Sequence, residues 1–91
     1  MAKRSKLEII GDMLTVIQEK RGRIKPTHLM YKANLSHAQL TGYLEELVQK
    51  EMIEEVQTPQ DTKYIIITDK GCKFVQKIQE MKQFEKSFGF E

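Results

Sequence analysis

The run Asn34-Leu35-Ser36-His37-Ala38-Gln39-Leu40 constrains this chain more than any other stretch. Asn34 tolerates the left-handed backbone conformation that ends a helix. Ser36 and Gln39 have the spacing of a capping box. In that motif the serine hydroxyl accepts from the backbone N–H three residues ahead, and the glutamine side chain returns to the serine N–H. Leu35 and Leu40 sit at the two ends of a hydrophobic staple around the same helix start. One helix therefore ends by residue 33 and the next begins at His37, with only a tight turn between them.

The flanking sequence fills in both helices. Pro26 suits a first helical position, where its missing N–H costs nothing. Thr27 to Ala33 then gives two turns, with Leu29 and Met30 inward. Past the turn, Leu40, Leu44, Leu47 and Val48 share one face, with Tyr43 at its edge. Ala38, Gln39, Gly42, Glu45, Glu46 and Gln49 share the other. Two helices joined this closely form a helix-turn-helix. Upstream, Ser5 and Glu8 make a first capping box. Leu7, Ile10, Met13, Leu14 and Ile17 follow at helical spacing, and Ile9 and Val16 widen that apolar arc. Arg21-Gly22-Arg23 ends this first helix, with Gly22 expected in the left-handed cap. A short extended Ile24-Lys25 comes next. Beyond Lys50 the period changes: Met52 to Gln57 predicts a strand, Thr58-Pro59-Gln60-Asp61 a turn, and Thr62 to Ile67 a β-branched second strand. Thr68 to Gly71 then caps a last helix with no proline or glycine before Gly89.

At 91 residues, 40% of them hydrophobic, the chain is one small domain (1–91) with a thin core. No repeat, linker or low-complexity tract divides it. No apolar run reaches the length of a membrane span, and no secretory leader is expected. One cysteine and two histidines make neither an intrachain disulfide nor a four-ligand zinc site, which suits a reducing, cytoplasmic setting. Charge is uneven. Residues 1–32 carry eight basic and three acidic side chains, a local +5, whereas 33–67 hold two against six, a local −4. A basic front third on a chain of net charge +2 points to a localised anion-facing patch.

Helix, short strand, helix, turn, helix, hairpin, helix is the order of a winged helix-turn-helix: α+β but mainly α, with a three-helix core, a two-stranded wing hairpin plus a short first strand, and a long C-terminal helix. Tyr64 to Thr68, then Asp69-Lys70-Gly71, resembles the wing strand and T-x-x-G of many such domains. Met30 to Ser36, followed by Gln39-Leu40 and Tyr43-Leu44, resembles an archaeal family of small winged-helix DNA-binding proteins and predicted transcriptional regulators. Arg4-Ser5 also matches, and the resemblance runs from Arg4 to about Met81. It implies duplex DNA as the partner, nucleoid association, and a homodimer formed through a C-terminal antiparallel coiled coil. Two departures stand out. Glu51 occupies the place where a glycine commonly ends the third helix, and the wing tip, Thr58 to Lys63, carries one lysine and one aspartate.

The residues suit a groove about 12 Å wide. Ala38 and Gly42, one turn apart and lacking bulk, let a helix backbone come close, to base edges or to another helix. Gln39 can pair with an adenine edge, Ala38 with a thymine methyl, and His37 or Thr41 with bases or phosphates. Ser36 and the helix N-terminus can hold a phosphate. Lys25, Thr27, His28 and Lys32 are placed to follow the backbone, as are Arg4 and Lys6 from the first helix and Lys63 from the wing. Ser36 and Gln39 have a sufficient role in capping alone, and Glu45 and Glu46 limit how deeply the third helix can enter.

No Gly-rich phosphate loop, metal spacing or paired carboxylates appear, and Cys72 reads as core filler. The chain is expected to be no enzyme and to need no cofactor. In the last helix, expected over 69–88 and about 30 Å long at 1.5 Å per residue, Gly71, Val75 and Ile78 dock it on its own domain. Phe74, Met81 and Phe88, seven apart, with Phe84 between the last two, form a second stripe that predicts a short dimer seam interrupted by Lys77. The competing arrangement folds these aromatics back on Ile9 and Val16. The competing function is a winged-helix protein–protein interaction module without DNA.

Overall fold

In a computed structural model that describes residues 4–89, the elements run α1 (Lys6–Glu19), β1 (Arg23–Ile24), α2 (Pro26–Lys32), α3 (His37–Gln49), β2 (Ile53–Gln57), β3 (Lys63–Ile67) and α4 (Asp69–Ser87). This is the expected order, with boundaries one residue inside those read from the sequence at the starts of β2 and β3 and the ends of α2 and α4; the first strand is Arg23–Ile24 and not Ile24-Lys25, because Lys25 is the N-cap of α2. The two predicted capping boxes both form. Ser5 Oγ accepts from the Glu8 N–H at 3.1 Å and Ser36 Oγ from the Gln39 N–H at 3.1 Å, and each partner side chain returns to the cap N–H. Each cap is worth about 1 kcal/mol.

Three helices end in the same way. The N–H groups of Arg21 and Gly22 reach back to the carbonyls of Gln18 and Ile17; those of Asn34 and Leu35 to Tyr31 and Met30; those of Glu51 and Met52 to Val48 and Leu47. Each is a Schellman motif whose first residue beyond the cap is left-handed. Arg21 (φ 61°), Asn34 (φ 57°) and Glu51 (φ 61°) hold those positions. The left-handed cap expected at Gly22 thus falls on Arg21, with Gly22 following it at φ 85°. Glu51 adopts the left-handed exit that a glycine would hold without strain, so the Schellman geometry is kept at a local steric cost.

The strands form an antiparallel sheet ordered β1-β3-β2, with Arg23 opposite Ile66 and Glu54 opposite Ile66 on the other side. Its inner face contributes Ile24, Ile53 and Ile65 to a core shared with Met13, Leu14 and Ile17 of α1, Leu29 of α2, Leu40, Leu44 and Leu47 of α3, and Val75 of α4. No polar side chain is buried among the described residues.

Two glycines set how α4 returns. A Cβ on Gly71 would lie 2.7 Å from Ile67 Cγ1 and closer still to the Met52 carbonyl oxygen. Thr68 locks the same corner: its hydroxyl donates to the Glu51 carbonyl at 2.7 Å and accepts from the Gly71 N–H at 3.1 Å. This gives the T-x-x-G pattern its physical meaning. Further along, a Cβ on Gly11 of α1 would meet Ile78 Cδ1 at 3.1 Å, so α4 crosses α1 closely there. From Gln79 onward every described residue is exposed. The helix leaves the body, and the molecule measures 50 × 30 × 22 Å. No described helix is long and apolar enough to cross a membrane.

Two substitutions test this corner. Gly71→Ala should cost about 1–3 kcal/mol, because backbone cannot yield as a side chain can. Glu51→Gly should gain about 1 kcal/mol by relieving a left-handed residue. Urea denaturation midpoints at an unchanged slope check both.

Candidate nucleic-acid interface

The N-terminal half of α3 is the most exposed part of the helix-turn-helix. Leu40, Leu44 and Leu47 turn inward, and His37, Ala38, Gln39, Thr41, Gly42 and Glu45 are exposed. A Cβ added to Gly42 would meet nothing within 4 Å, so no neighbouring helix explains that glycine. It leaves a flat place on the outer face at a cost of about 1 kcal/mol in helix propensity. The Thr41 hydroxyl donates to the His37 carbonyl at 3.0 Å. Gln39 Oε1 accepts from the Ser36 N–H at 2.9 Å, and its amide N–H₂ makes no hydrogen bond among the described residues. A carbonyl oxygen has two lone pairs. Gln39 therefore retains one acceptor site and its donors for a base edge while it caps. Glu46 bends away from this face to Lys6 Nζ at 2.7 Å, leaving Glu45 as the carboxylate on the outer surface.

The cations named from the sequence divide into two sets. Arg4 bonds Asp12 Oδ2 and the Asn34 carbonyl, both at 3.1 Å, tying the start of α1 to the exit of α2. Lys6 is held by Glu46, and Lys63 by Glu55 at 2.9 Å. The wing tip is closed by the Gln57–Asp61 side-chain bond and by the Thr62 N–H on the Thr58 hydroxyl. It projects no unpaired positive charge among the described residues. Lys25 and Lys32, by contrast, have no carboxylate partner among the described residues. With His28 they fall three and four residues apart, on one exposed stripe along α2. Thr27 is exposed beside them.

Sequence reasoning passed over Lys20, Arg21 and Arg23. These line one depression together with Lys25, His28 and Tyr64, and the Arg23 guanidinium sits 4.5 Å above the Tyr64 ring. The signal is present in the run Lys20-Arg21-Gly22-Arg23, where Arg21-Gly22-Arg23 is read as a helix exit and the charges count only toward the basic front third. Among the described residues no group of three or more His, Cys, Asp or Glu is placed to hold a metal ion.

The second stripe on α4 divides as well. Phe74, expected in the seam, packs against its own core, because the first turns of α4 are flanked by core elements. Met81, Phe84 and Phe88 are 52%, 62% and 64% exposed, and do not fold back on Ile9 and Val16. The Phe84 and Phe88 rings lie 4.9 Å apart and tilted, and Leu7 of α1 adds its own exposed surface across a groove from Met81.

A capped helix-turn-helix, a two-stranded hairpin and a helix returning over the first define a winged-helix domain. The chain belongs to the winged helix-turn-helix family, whose pattern matches residues 3–86. No curated protein sequence matches it. Among solved structures it is similar to Sso10a-2, a DNA-binding protein from Sulfolobus solfataricus (TM-score 0.78, 24% identity, 93% of this chain and 85% of that one). It is also similar to F93 from STIV, a winged-helix DNA-binding protein (TM-score 0.75, 21% identity, 92% and 94%). A MarR mutant from E. coli, complexed with operator DNA, shares the fold over about half its own length (TM-score 0.69, 22% identity, 78% and 51%). At these identities the likeness is one of fold.

Gly42→Ala tests whether the open face is free of intramolecular work. With no clash to make, it should stabilise the fold by about 1 kcal/mol, read as a higher urea midpoint.

Proposed function

We propose that the protein binds duplex DNA as a homodimer, as a transcriptional regulator or chromatin-associated architectural protein, with the first two turns of α3 in the major groove. The observation that carries this reading is Gly42. A helix-weakening glycine stands on the exposed face, one turn after Ala38, with open space where its side chain would be. The close approach it permits serves nothing inside the domain. The stripe of Lys25, His28 and Lys32 on the preceding helix, without ion-pair partners among the described residues, supports it, as does the description of similarly folded proteins as DNA-binding.

In this reading Gln39 and Ala38 meet base edges, while His37, Thr41, Ser36, Thr27, Lys25 and Lys32 position the helix on phosphates. Arg4 and Lys6 contribute by bracing α1 against α2 and α3. The neutral wing favours the second reading, a protein-docking domain without DNA. Binding to random duplex separates the two, because phosphate contacts make log affinity fall linearly with log salt and docking does not.

Gln39→Ala should relax preference at one base position by about 1–3 kcal/mol, while Lys32→Ala weakens all sequences alike. A selection from random duplex followed by fluorescence anisotropy checks both, and equal losses on every sequence from the two changes remove Gln39 from base reading. Gly42→Ala, though more stable, should bind more weakly.

Pairing through α4 rests on the bare stripe of Met81, Phe84 and Phe88, with Leu7 beside it. Contiguous apolar surface of this kind marks an interaction site on a small protein. Sedimentation at tens of micromolar should show a dimer that Met81→Glu with Phe84→Glu makes monomeric. A wild-type monomer ends the idea, and a dimer that survives the double change moves the interface elsewhere. Loss of the dimer should also weaken DNA binding steeply, since linked half-sites raise the effective concentration.

A further inference from the structure

Of the charged side chains lining the depression between the α1–β1 turn, the start of α2 and the outer face of β3, the reading above uses only Lys25 and His28. Lys20, Arg21, Arg23 and Lys25 line it with His28, and no carboxylate does. None of the four cations has an ion-pair partner among the described residues. Concentrated like charge opposes the compact state, so a cluster left unneutralised in a chain with thirteen acids calls for an external counter-charge. The cluster is also held in place. Arg21 sits at φ 61° inside the Schellman exit, which aims the turn outward at a steric cost, and the Tyr64 ring carries the Arg23 guanidinium. A cation fixed in this way loses less freedom when it meets a phosphate.

The opposite edge of the sheet has the opposite sign. β1 and β2 are the two outer strands, with β3 between them. The depression at the β2 edge is lined by Glu51, Glu54, Glu55 and Asp69, with Lys70 as its one cation. A duplex laid over the wing would face those carboxylates; one laid past β1 would not. The stripe of Lys25, His28 and Lys32 runs from the basic depression toward the helix-turn-helix, about 10 Å along α2 at 1.5 Å per residue.

We infer that the β1-edge depression is a phosphate-backbone clamp for duplex DNA, so that the nucleic acid continues from α3 along α2 and past the α1–β1 turn instead of over the wing. The inference rests on the DNA-binding reading and assigns three contacts, Lys20, Arg21 and Arg23, that the reading does not include. The clamp holds backbone only, so it adds affinity without sequence preference.

The test is the salt dependence of binding to a random duplex, measured by fluorescence anisotropy on the full chain. Each phosphate contact contributes about 0.9 to the slope of log affinity against log salt. Lys20→Gln with Arg21→Gln, which leaves the Arg23–Tyr64 pair intact, should lower the slope by about 2, and adding Arg23→Gln should lower it by about 3 in total. Lys70→Gln, which removes one positive charge at the β2 edge, should leave the slope unchanged, and circular dichroism confirms that each variant is folded. Wild-type binding with a slope that the double and triple variants retain overturns the clamp and leaves α3 as the reader. A fall of about 0.9 with Lys70→Gln, the same per charge removed as in the clamp variants, also overturns it, since the effect would then be one of net charge. A wild-type protein with no salt-dependent binding overturns the clamp and the DNA-binding reading together.

Discussion

The fold depends on one close approach, that of Gly71 to the Met52 carbonyl. The chain leaves α3, reverses at Glu51 and enters β2, and α4 must start against the same peptide. Only hydrogen fits at that point, and Thr68 pins it from both sides by donating to Glu51 and capping α4. Once this corner is set, the direction of α4 follows. The helix crosses α1 where Gly11 admits Ile78 and then runs out beyond the domain. The wing hairpin, the last helix and the apolar stripe of Met81, Phe84 and Phe88 are all placed by a contact a few atoms across.

In the proposed reading the same residues of the helix-turn-helix serve architecture and recognition. Ser36 and Gln39 close the α3 N-terminus, yet they stand on the exposed face where base edges would lie. A side chain already ordered by its cap has less rotamer freedom left to lose on binding. Gly42 carries the opposite balance, weakening the helix to keep a surface flat. The two together describe an α3 whose first turn is fixed and whose second is open.

The elements and the core could be read from the sequence because they rest on local rules. Capping boxes, the proline at the start of α2, Asn34 at its exit and the alternation of the strands each act over a few residues. The left-handed exit at Arg21 was missed because a glycine lay one position further on, and glycine is the usual signal. Pairing was less visible. Nothing in the spacing of Arg4, Lys6, Glu46 or Lys63 shows which carboxylate each cation meets across the fold. Phe74 shared a heptad with Met81 and Phe88, and only the packing of the first turns of α4 separates it from them. The basic depression was hidden for a similar reason: Tyr64 is far from Arg23 in sequence and reaches it only through the pairing of β1 with β3.

The free end of α4 has a geometric meaning of its own. Past Ile78 every described residue of the helix is exposed and none belongs to the core, so its length is open to change without disturbing the core. In a pair of domains joined through α4, every residue added or removed before the seam moves one recognition helix about 1.5 Å and turns it by about 100° relative to the other. DNA repeats every 10 to 10.5 base pairs, about 34–36 Å, and both half-sites must face the same way. In such a pair the last turns of α4 would be a ruler graded in whole residues, with the spacing and phase of the sites that the two domains hold together written in its length.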